Sequence, residues 1–138
     1  MKLVVIDGQG GGIGRLIVAR LRERLPAAEI FAVGANSVAT SAMLKAGASS
    51  GATGENAVVV ACRRASVIVG PVGIVIADSL GGEITPAMAT AVAQSAAKRV
   101  LIPFNFCDNV IVGVSDYNMA HLVQCAVDEV ASLVTAEG

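Results

Sequence analysis

The sequence predicts an α/β fold: a three-layer sandwich in which helices cover both faces of a mostly parallel sheet. Short runs rich in valine and isoleucine alternate with longer segments of helical periodicity, and this alternation is typical of parallel sheets with crossover helices. The composition agrees, because 54% of the residues are hydrophobic and only 3% are aromatic, and small side chains allow helices to pack closely on a sheet. With 138 residues, we expect a single domain over 1–138.

Five apolar runs predict the strands. They are rich in β-branched side chains, as expected of strands that are buried in a sheet. The runs cover residues 2–6, 29–33, 67–69, 100–104 and 109–114. The link that precedes 109–114 is too short for a helical crossover, so this segment is expected to form an antiparallel C-terminal edge strand.

Segments with apolar side chains at a period of about 3.6 residues predict the helices. They cover residues 13–25, 38–46, 55–65, 86–97 and 118–134. Pro26 ends the first helix, and Asn36 or Ser37 caps the second. The alternation of these helices with the strands is what the layered fold requires.

Four further segments lie between or within these elements, and for two of them the sequence allows more than one secondary structure. Residues 48–54 are small and predict a loop, and residues 78–83 predict a turn. Residues 55–65 contain three consecutive valines that favour a strand, but their polar beginning resembles a helix start, and a helix is favoured. Residues 74–80 begin with an apolar stretch that fits either a continued strand or a short helix.

Charge and cysteine content exclude several classes of function. The net charge is −1 and the pI is about 5.7, so binding to the phosphate backbone of nucleic acids is not expected. The uncharged apolar stretch 65–77 is shorter than the roughly 20 residues that a membrane span needs. Cys62, Cys107 and Cys125 lie far apart without a C-x-x-C pair, so we expect no metal site and reduced thiols in a cytoplasmic protein.

Residues 7–14, Asp-Gly-Gln-Gly-Gly-Gly-Ile-Gly, join the first strand to the first helix. Gly8 permits a sharp turn, the three central glycines let a ligand approach the backbone, and Gly14 lets the helix lie close to the strand. Free amides at the start of a helix favour a phosphate or another anion. The segment therefore predicts a Rossmann-like nucleotide site, and the alternative is a tight strand–helix connection without a ligand.

The spacing Gly8-x-x-x-Gly12-Ile13-Gly14-Arg15 resembles the turn of the short-chain dehydrogenases. The resemblance covers the first strand, the turn and the first helix, and it implies binding of a dinucleotide. Asp7 stands where that family usually has a small hydroxyl residue, and Asn36 and Ser37 stand near the position of its ribose-binding carboxylate. The family's Tyr-x-x-x-Lys pair is missing, so dehydrogenase catalysis of that type is not expected. Without the carboxylate, the 2′-phosphate of NADP is repelled less.

Further segments are similar to a small bacterial family catalogued only as a domain of unknown function, DUF3842. They extend over nearly the whole chain and comprise residues 5–14, 36–40, 43–48, 52–57, 69–74 and 82–86. The resemblance implies a Rossmann-like protein of one domain. It implies no activity and no catalytic residues.

We predict that the turn and the residues after the second strand bind a small phosphorylated ligand, NADP or another nucleotide. Asp7 is expected either to accept hydrogen bonds from the amides of the turn or to contact a ribose or a base. The predicted cofactor-binding residues are Asp7, Gly8, Gln9, Gly10, Gly11, Gly12, Ile13, Gly14, Arg15, Asn36 and Ser37.

Other polar residues follow the strands and are expected near the same crevice, because ligands of open α/β sheets bind at the carboxyl ends of the strands. These residues are Thr53, Glu55, Asn56, Asp78, Glu83 and Asn105. No complete catalytic set is legible, so enzymatic activity stays open. A small enzyme acting on a phosphorylated or carboxylated metabolite would use Asp7 or Glu55 as its base.

The segment 84–97 carries no charged side chain and is rich in alanine. A helix that is wholly exposed to solvent rarely has this composition. The segment predicts burial within one copy or in the interface of a homo-oligomer, and we expect a dimer or a larger assembly. A non-catalytic homo-oligomeric interaction module is therefore the alternative to nucleotide binding.

Overall fold

The three-dimensional structure is a computed structural model that describes residues 2–104, 108–114 and 118–137. Within these residues, strands and helices alternate along the chain. The strands are β1 (Leu3–Asp7), β2 (Ile30–Gly34), β3 (Ser50–Thr53), β4 (Val67–Pro71) and β5 (Lys98–Ile102). The helices are α1 (Gly12–Arg24), α2 (Ser37–Lys45), α3 (Glu55–Arg64), a 3₁₀ helix (Val72–Val75), α4 (Pro86–Gln94) and α5 (Met119–Glu137).

The five strands form one parallel sheet in the order β3-β2-β1-β4-β5. From β1 the chain winds outward through β2 and β3, and it then returns across the sheet to β4 and β5. The direction of winding reverses between β1 and β4. The loops after two such strands diverge and leave a crevice, which is where open α/β sheets bind their ligands.

Helices cover both faces of the sheet, and β1 contributes side chains to both because its residues alternate in direction. Leu3 and Val5 pack with α1, α2 and α5, whereas Val4 and Ile6 pack with α3 and α4. Aliphatic side chains make up both cores, as the low aromatic content predicts. None of the helices in the described part of the chain is long and apolar enough to cross a membrane.

The predicted antiparallel edge strand over 109–114 is wrong. Residues 108–114 contain no strand, and the strand pairs within the described ranges are parallel. Val110 and Val112 are 77% and 89% exposed, and Gly113 has a φ of 88°. A β-branched run favours a strand only where one of its faces is buried, and here both valines are exposed.

The predicted loop over 48–54 is also wrong, because it contains β3, which pairs with β2. A Cβ atom on Gly51 would lie 2.8 Å from the carbonyl oxygen of Ala32, so this pairing requires a residue without a side chain. Small residues have a low β-propensity. The small residues that permit the close pairing are therefore also the reason why the sequence does not predict this strand.

The structure shows the secondary structure of the two segments for which the sequence allows alternatives. Residues 55–65 contain α3, the helix that was favoured. Residues 74–80 are neither a strand nor an α-helix, because the 3₁₀ helix overlaps only their beginning and turns follow it. The turn predicted over 78–83 is confirmed. The uncharged helix is shorter than predicted and ends at Gln94.

Candidate functional site

The glycine-rich turn leaves the end of β1 and enters α1 at the crevice between β1 and β4. The amide of Gly11 donates a hydrogen bond to the carbonyl oxygen of Gly8 at 2.9 Å, which closes the turn. Gly11 has a φ of 72° and precedes the first residue of α1. Gln9 also has a positive φ, 51°, so the backbone turns sharply at two positions before the helix begins.

The glycines of this turn have two different roles. A Cβ atom on Gly14 would lie 2.6 Å from Met43 Sδ and 2.8 Å from Asp7 Cβ, so Gly14 allows α1 to pack closely, as predicted. Gly10 and Gly12 have no atom within 4 Å of the place that a Cβ would occupy. Packing therefore does not explain these two glycines, and the space beside them is open.

Asp7 is the buried carboxylate of the site, with 4% of its surface exposed. Its Oδ2 accepts a hydrogen bond from the Gly14 amide at 2.7 Å. Burial raises the pKa of Asp7 above 3.8, hydrogen bonds from the amides of Gly14, Gly8 and Ile13 oppose the rise, and the charge of Glu83 adds to it. Asp7 thus stabilises the amides at the start of α1, which is one of its two predicted roles.

Glu83 contributes a second carboxylate from the turn that precedes α4. Its Oε1 accepts a hydrogen bond from the Gln9 amide at 2.5 Å, and its Oε2 accepts one from Asn36 Nδ2 at 2.7 Å. Sequence reasoning included Glu83 only among the polar residues after the strands. Its contact with Gln9 spans 74 positions of the chain, and no local pattern indicates such a contact.

Asn36 connects the turn to α2. Its Oδ1 accepts a hydrogen bond from the Ala39 amide at 2.9 Å, and so it caps the helix. Its Nδ2 donates to the carbonyl oxygen of Gln9 at 2.9 Å as well as to Glu83. The predicted capping role is confirmed, and the same side chain also holds the glycine-rich turn.

Two amides of the turn, those of Gly10 and Gly12, have no hydrogen-bond partner among the described residues. Both residues border a cavity of about 240 Å³ at the crevice. Apolar and polar groups line this cavity: Asp7, Gly8, Gln9, Gly10, Gly12, Ile13, Leu80, Phe104 and Met119. The site thus combines two unpaired N–H donors with two carboxylates that accept hydrogen bonds from other amides of the turn.

Arg15 and Ser37 lie together in a second hollow, between the outer sides of α1 and α2. Lys45 and Ser41 also line this hollow, whose volume is about 640 Å³. Arg15 and Lys45 form no ion pair with any residue that the structure describes. Sequence reasoning found Arg15 and Ser37 but not Lys45, which lies one helical turn after Ser41 on the same side of α2.

The remaining candidate residues lie elsewhere. Thr53 Oγ1 lies 2.8 Å from Thr40 Oγ1 at the end of β3, and Glu55 and Asn56 begin α3. Because β2 separates β3 from β1, these residues are not brought to the crevice between β1 and β4. Asn105 and Cys107 lie outside the described residues.

The histidine and the described cysteines also lie away from the turn. His121 Nε2 lies 3.6 Å from Cys125 Sγ on the exposed side of α5, and burial raises the pKa of Cys62 to about 11. Across residues 2–104, 108–114 and 118–137, no group of three or more histidine, cysteine or acidic side chains could hold a metal ion.

Residues 2–135 match the protein family described as a domain of unknown function, DUF3842. The chain belongs to this family. The resemblance to this family that the sequence motifs indicate is thereby confirmed. A comparison with curated proteins gives no match. Among solved structures, the chain is similar to a dodecameric FMN-dependent Ubix-like decarboxylase from Escherichia coli O157:H7, with 20% identity, a TM-score of 0.48, and coverage of 95% of this chain and 76% of that chain.

Proposed function

We propose that the crevice at the glycine-rich turn binds the phosphate-bearing part of a small molecule, a nucleotide or another phosphorylated metabolite. The observation that carries the proposal is the pair of unpaired amides, those of Gly10 and Gly12, beside an open cavity of about 240 Å³. An amide at the start of a helix favours an anion because of its own N–H dipole and the helix dipole.

The position of the cavity supports the same proposal. It lies beside the carboxyl end of β1, and Leu80 from the segment after β4 lines it; the winding of the sheet reverses between these two strands. The apolar side chains of Leu80 and Met119 on its wall fit the uncharged part of a nucleotide or metabolite. Asp7 is already engaged by amides of the turn, so we assign it a structural role and no proton transfer.

NADP is the first ligand to test, because the hollow lined by Arg15, Ser37 and Lys45 offers cations to a second phosphate. A Cβ atom on Gly11 would lie 3.2 Å from Ala42 Cβ, and Ala42 also lines the hollow, so the turn and the hollow are neighbours. Replacing Arg15 with alanine is expected to weaken NADP and to leave NAD unchanged. Equal effects on both dinucleotides would exclude the hollow as a 2′-phosphate site.

Thermal unfolding tests the proposal with a panel of NADP, NAD, ATP, flavin nucleotides and sugar phosphates. A ligand at 100 times its Kd adds about 2.7 kcal/mol of stability, which raises the Tm of a chain of this size by roughly 5–15 °C. Gly12→Val fills the open space beside the amide and should abolish the shift. Ala136→Val places the same side chain at an exposed position of α5 and should retain it.

Two results would contradict the proposal. In the first, no phosphorylated compound shifts the wild-type Tm. In the second, a compound shifts the wild type and Gly12→Val equally, which would move its binding site away from the turn.

A second candidate function, homo-oligomeric assembly, is favoured by the exposed face of α4. Pro86, Ala87, Thr90, Ala93 and Gln94 are exposed and uncharged, so the single copy does not bury this helix completely. The face borders a hollow of about 680 Å³ between α3 and α4. Thr90→Arg is expected to reduce the sedimentation coefficient to that of a monomer. A wild-type chain that sediments as a monomer at micromolar concentration would exclude this candidate.

The two described cysteines, Cys62 and Cys125, are free thiols. Free thiols persist in a reducing compartment, and we therefore propose a cytoplasmic location. Fractionation of cells that contain the tagged protein tests it. Recovery from the periplasm or the medium would contradict it.

A further inference from the structure

We infer that the Glu83 carboxylate occupies an oxyanion subsite of the crevice, and that a phosphoryl or carboxylate group of the ligand displaces it. This inference rests on the proposed function and adds to it the way in which the site opens. The subsite consists of the Gln9 amide and the side-chain amide of Asn36, which bind one oxygen of Glu83 each.

The two donors hold a carboxylate in the way that they would hold any oxyanion with two free oxygens. The distance of 2.7 Å from Asn36 Nδ2 to Oε2 is in the range of hydrogen bonds to a charged acceptor, and the Gln9 amide donates to Oε1 at 2.5 Å. The Asn36 side chain is fixed by its bonds to Ala39 and to the Gln9 carbonyl oxygen. The donors therefore stay in place when Glu83 leaves.

Glu83 opposes the binding of an anion at the turn electrostatically. Its charge contributes to the raised pKa of Asp7, so the two carboxylates are close enough to repel one another. A phosphate at Gly10 and Gly12 would face both carboxylates. With Glu83 displaced, the Gln9 amide is free, and Gln9 lines the same cavity as Gly10 and Gly12. The turn then offers three unpaired amides at this cavity.

The segment that carries Glu83 allows the side chain to leave without unfolding. Leu80 and Ile84 are buried on either side of it, and the Asp78 amide donates a hydrogen bond to the Ile84 carbonyl oxygen at 2.6 Å. Glu83 itself is only half-buried, and Gly82 next to it is exposed with a φ of 94°. A rotation of the Glu83 side chain into solvent is sufficient to empty the subsite.

The experiment measures binding of inorganic phosphate and of acetate to the wild type and to Glu83→Ala and Glu83→Gln. The readout is the backbone amide spectrum of the 13.8-kDa chain, which also shows whether each variant is folded. An internal group that competes with the ligand lowers the apparent affinity by a certain factor, and its removal raises the affinity by the same factor. We expect both variants to bind one of the two anions at least about tenfold more tightly than the wild type, with shifts at Gln9 and Gly10.

Phosphate and acetate distinguish the two sources of the oxyanion: the anion that gains more affinity identifies a phosphoryl or a carboxylate ligand. Glu129→Ala is the control, because it removes the same charge from an exposed position of α5 and should leave both affinities at the wild-type value. An equal gain in Glu129→Ala would overturn the subsite, because net charge alone would then explain the effect.

The failure of this inference differs from the failure of the proposed function. If the wild type and both Glu83 variants bind phosphate equally and Gly12→Val abolishes binding in each, the displacement by ligand is wrong and the phosphate site stands. If neither anion moves the amides of Gln9, Gly10 and Gly12 in any of the folded proteins, both are overturned.

Discussion

Two glycines of the turn, Gly12 and Gly14, should respond in opposite ways to the same substitution by alanine. Both belong to the first turn of α1. A Cβ on Gly12 enters open space, whereas a Cβ on Gly14 would lie 2.6 Å from Met43 Sδ, 2.8 Å from Asp7 Cβ and 3.1 Å from Asp7 Oδ2. The pair therefore isolates packing from helix propensity.

The magnitudes follow from these contacts. Gly12→Ala should stabilise the fold by about 0.5–1 kcal/mol, because alanine restricts the unfolded chain and favours a helix. In Gly14→Ala, overpacking costs about 1–3 kcal/mol and displaces the buried carboxylate of Asp7 from its amide. Because both variants gain the same helix propensity, they should differ by the overpacking cost, about 1–3 kcal/mol in free energy of unfolding, which corresponds to roughly 3–15 °C in Tm for a chain of this size.

Calorimetry and urea unfolding of the two variants without ligand provide the measurement. If Gly12→Ala destabilises the protein as much as Gly14→Ala, the space beside the Gly12 amide is filled. The observation on which the proposed ligand site rests would then be lost. An unchanged urea m value in both variants verifies that the comparison concerns native packing and not a new unfolded state.

Three further predictions concern buried groups. The pKa of the Asp7 carboxyl, measured by carbon NMR, should lie above 3.8, so Asp7 favours folding below pH 3.8 and loses this contribution as the pH rises through its folded pKa. Glu83→Gln should lower that pKa, and a wild-type midpoint at or below 3.8 would contradict the role of burial. Thr40→Val should cost about 1–3 kcal/mol in urea unfolding, because Thr40 Oγ1 accepts the buried amide hydrogen of Gly34 at 3.1 Å; a loss below about 0.5 kcal/mol would argue against this hydrogen bond. Cys62, with a pKa of about 11, should resist alkylation at pH 8 while exposed Cys125 reacts, as peptide mass mapping can verify; equal rates would contradict its burial.

The sequence predicted the sheet and the position of the turn because both depend on local patterns. Apolar runs mark β1, β2 and β4, and a helical period with a stop at Pro26 marks α1. The antiparallel strand over 109–114 failed because its burial, which propensity does not report, is missing. The reverse holds for β3, which was not predicted although it pairs in the sheet. Gly51 lowers the local β-propensity of the segment, and yet it allows close contact with Ala32.

Within the site, the residues that act through the local backbone were predictable and those that act across the fold were not. Asp7 precedes the turn, and its role towards Gly14 was one of two expected roles. Asn36 was recognised as a cap from its position before α2. The contact of Glu83 with Gln9 depends on the winding that brings the loop after β4 beside the loop after β1. No local pattern in a single sequence indicates that these two residues are close in space.

The two margins of the sheet have a consequence for how copies of this chain can associate. The edge strand β3 is only four residues long, and the edge strand β5 begins with the exposed cations Lys98 and Arg99. Short or positively charged border strands resist hydrogen bonding to a strand of another molecule. Concentrated solutions should therefore remain free of fibrillar, sheet-extended aggregates, and specific assembly is left to the helical surfaces.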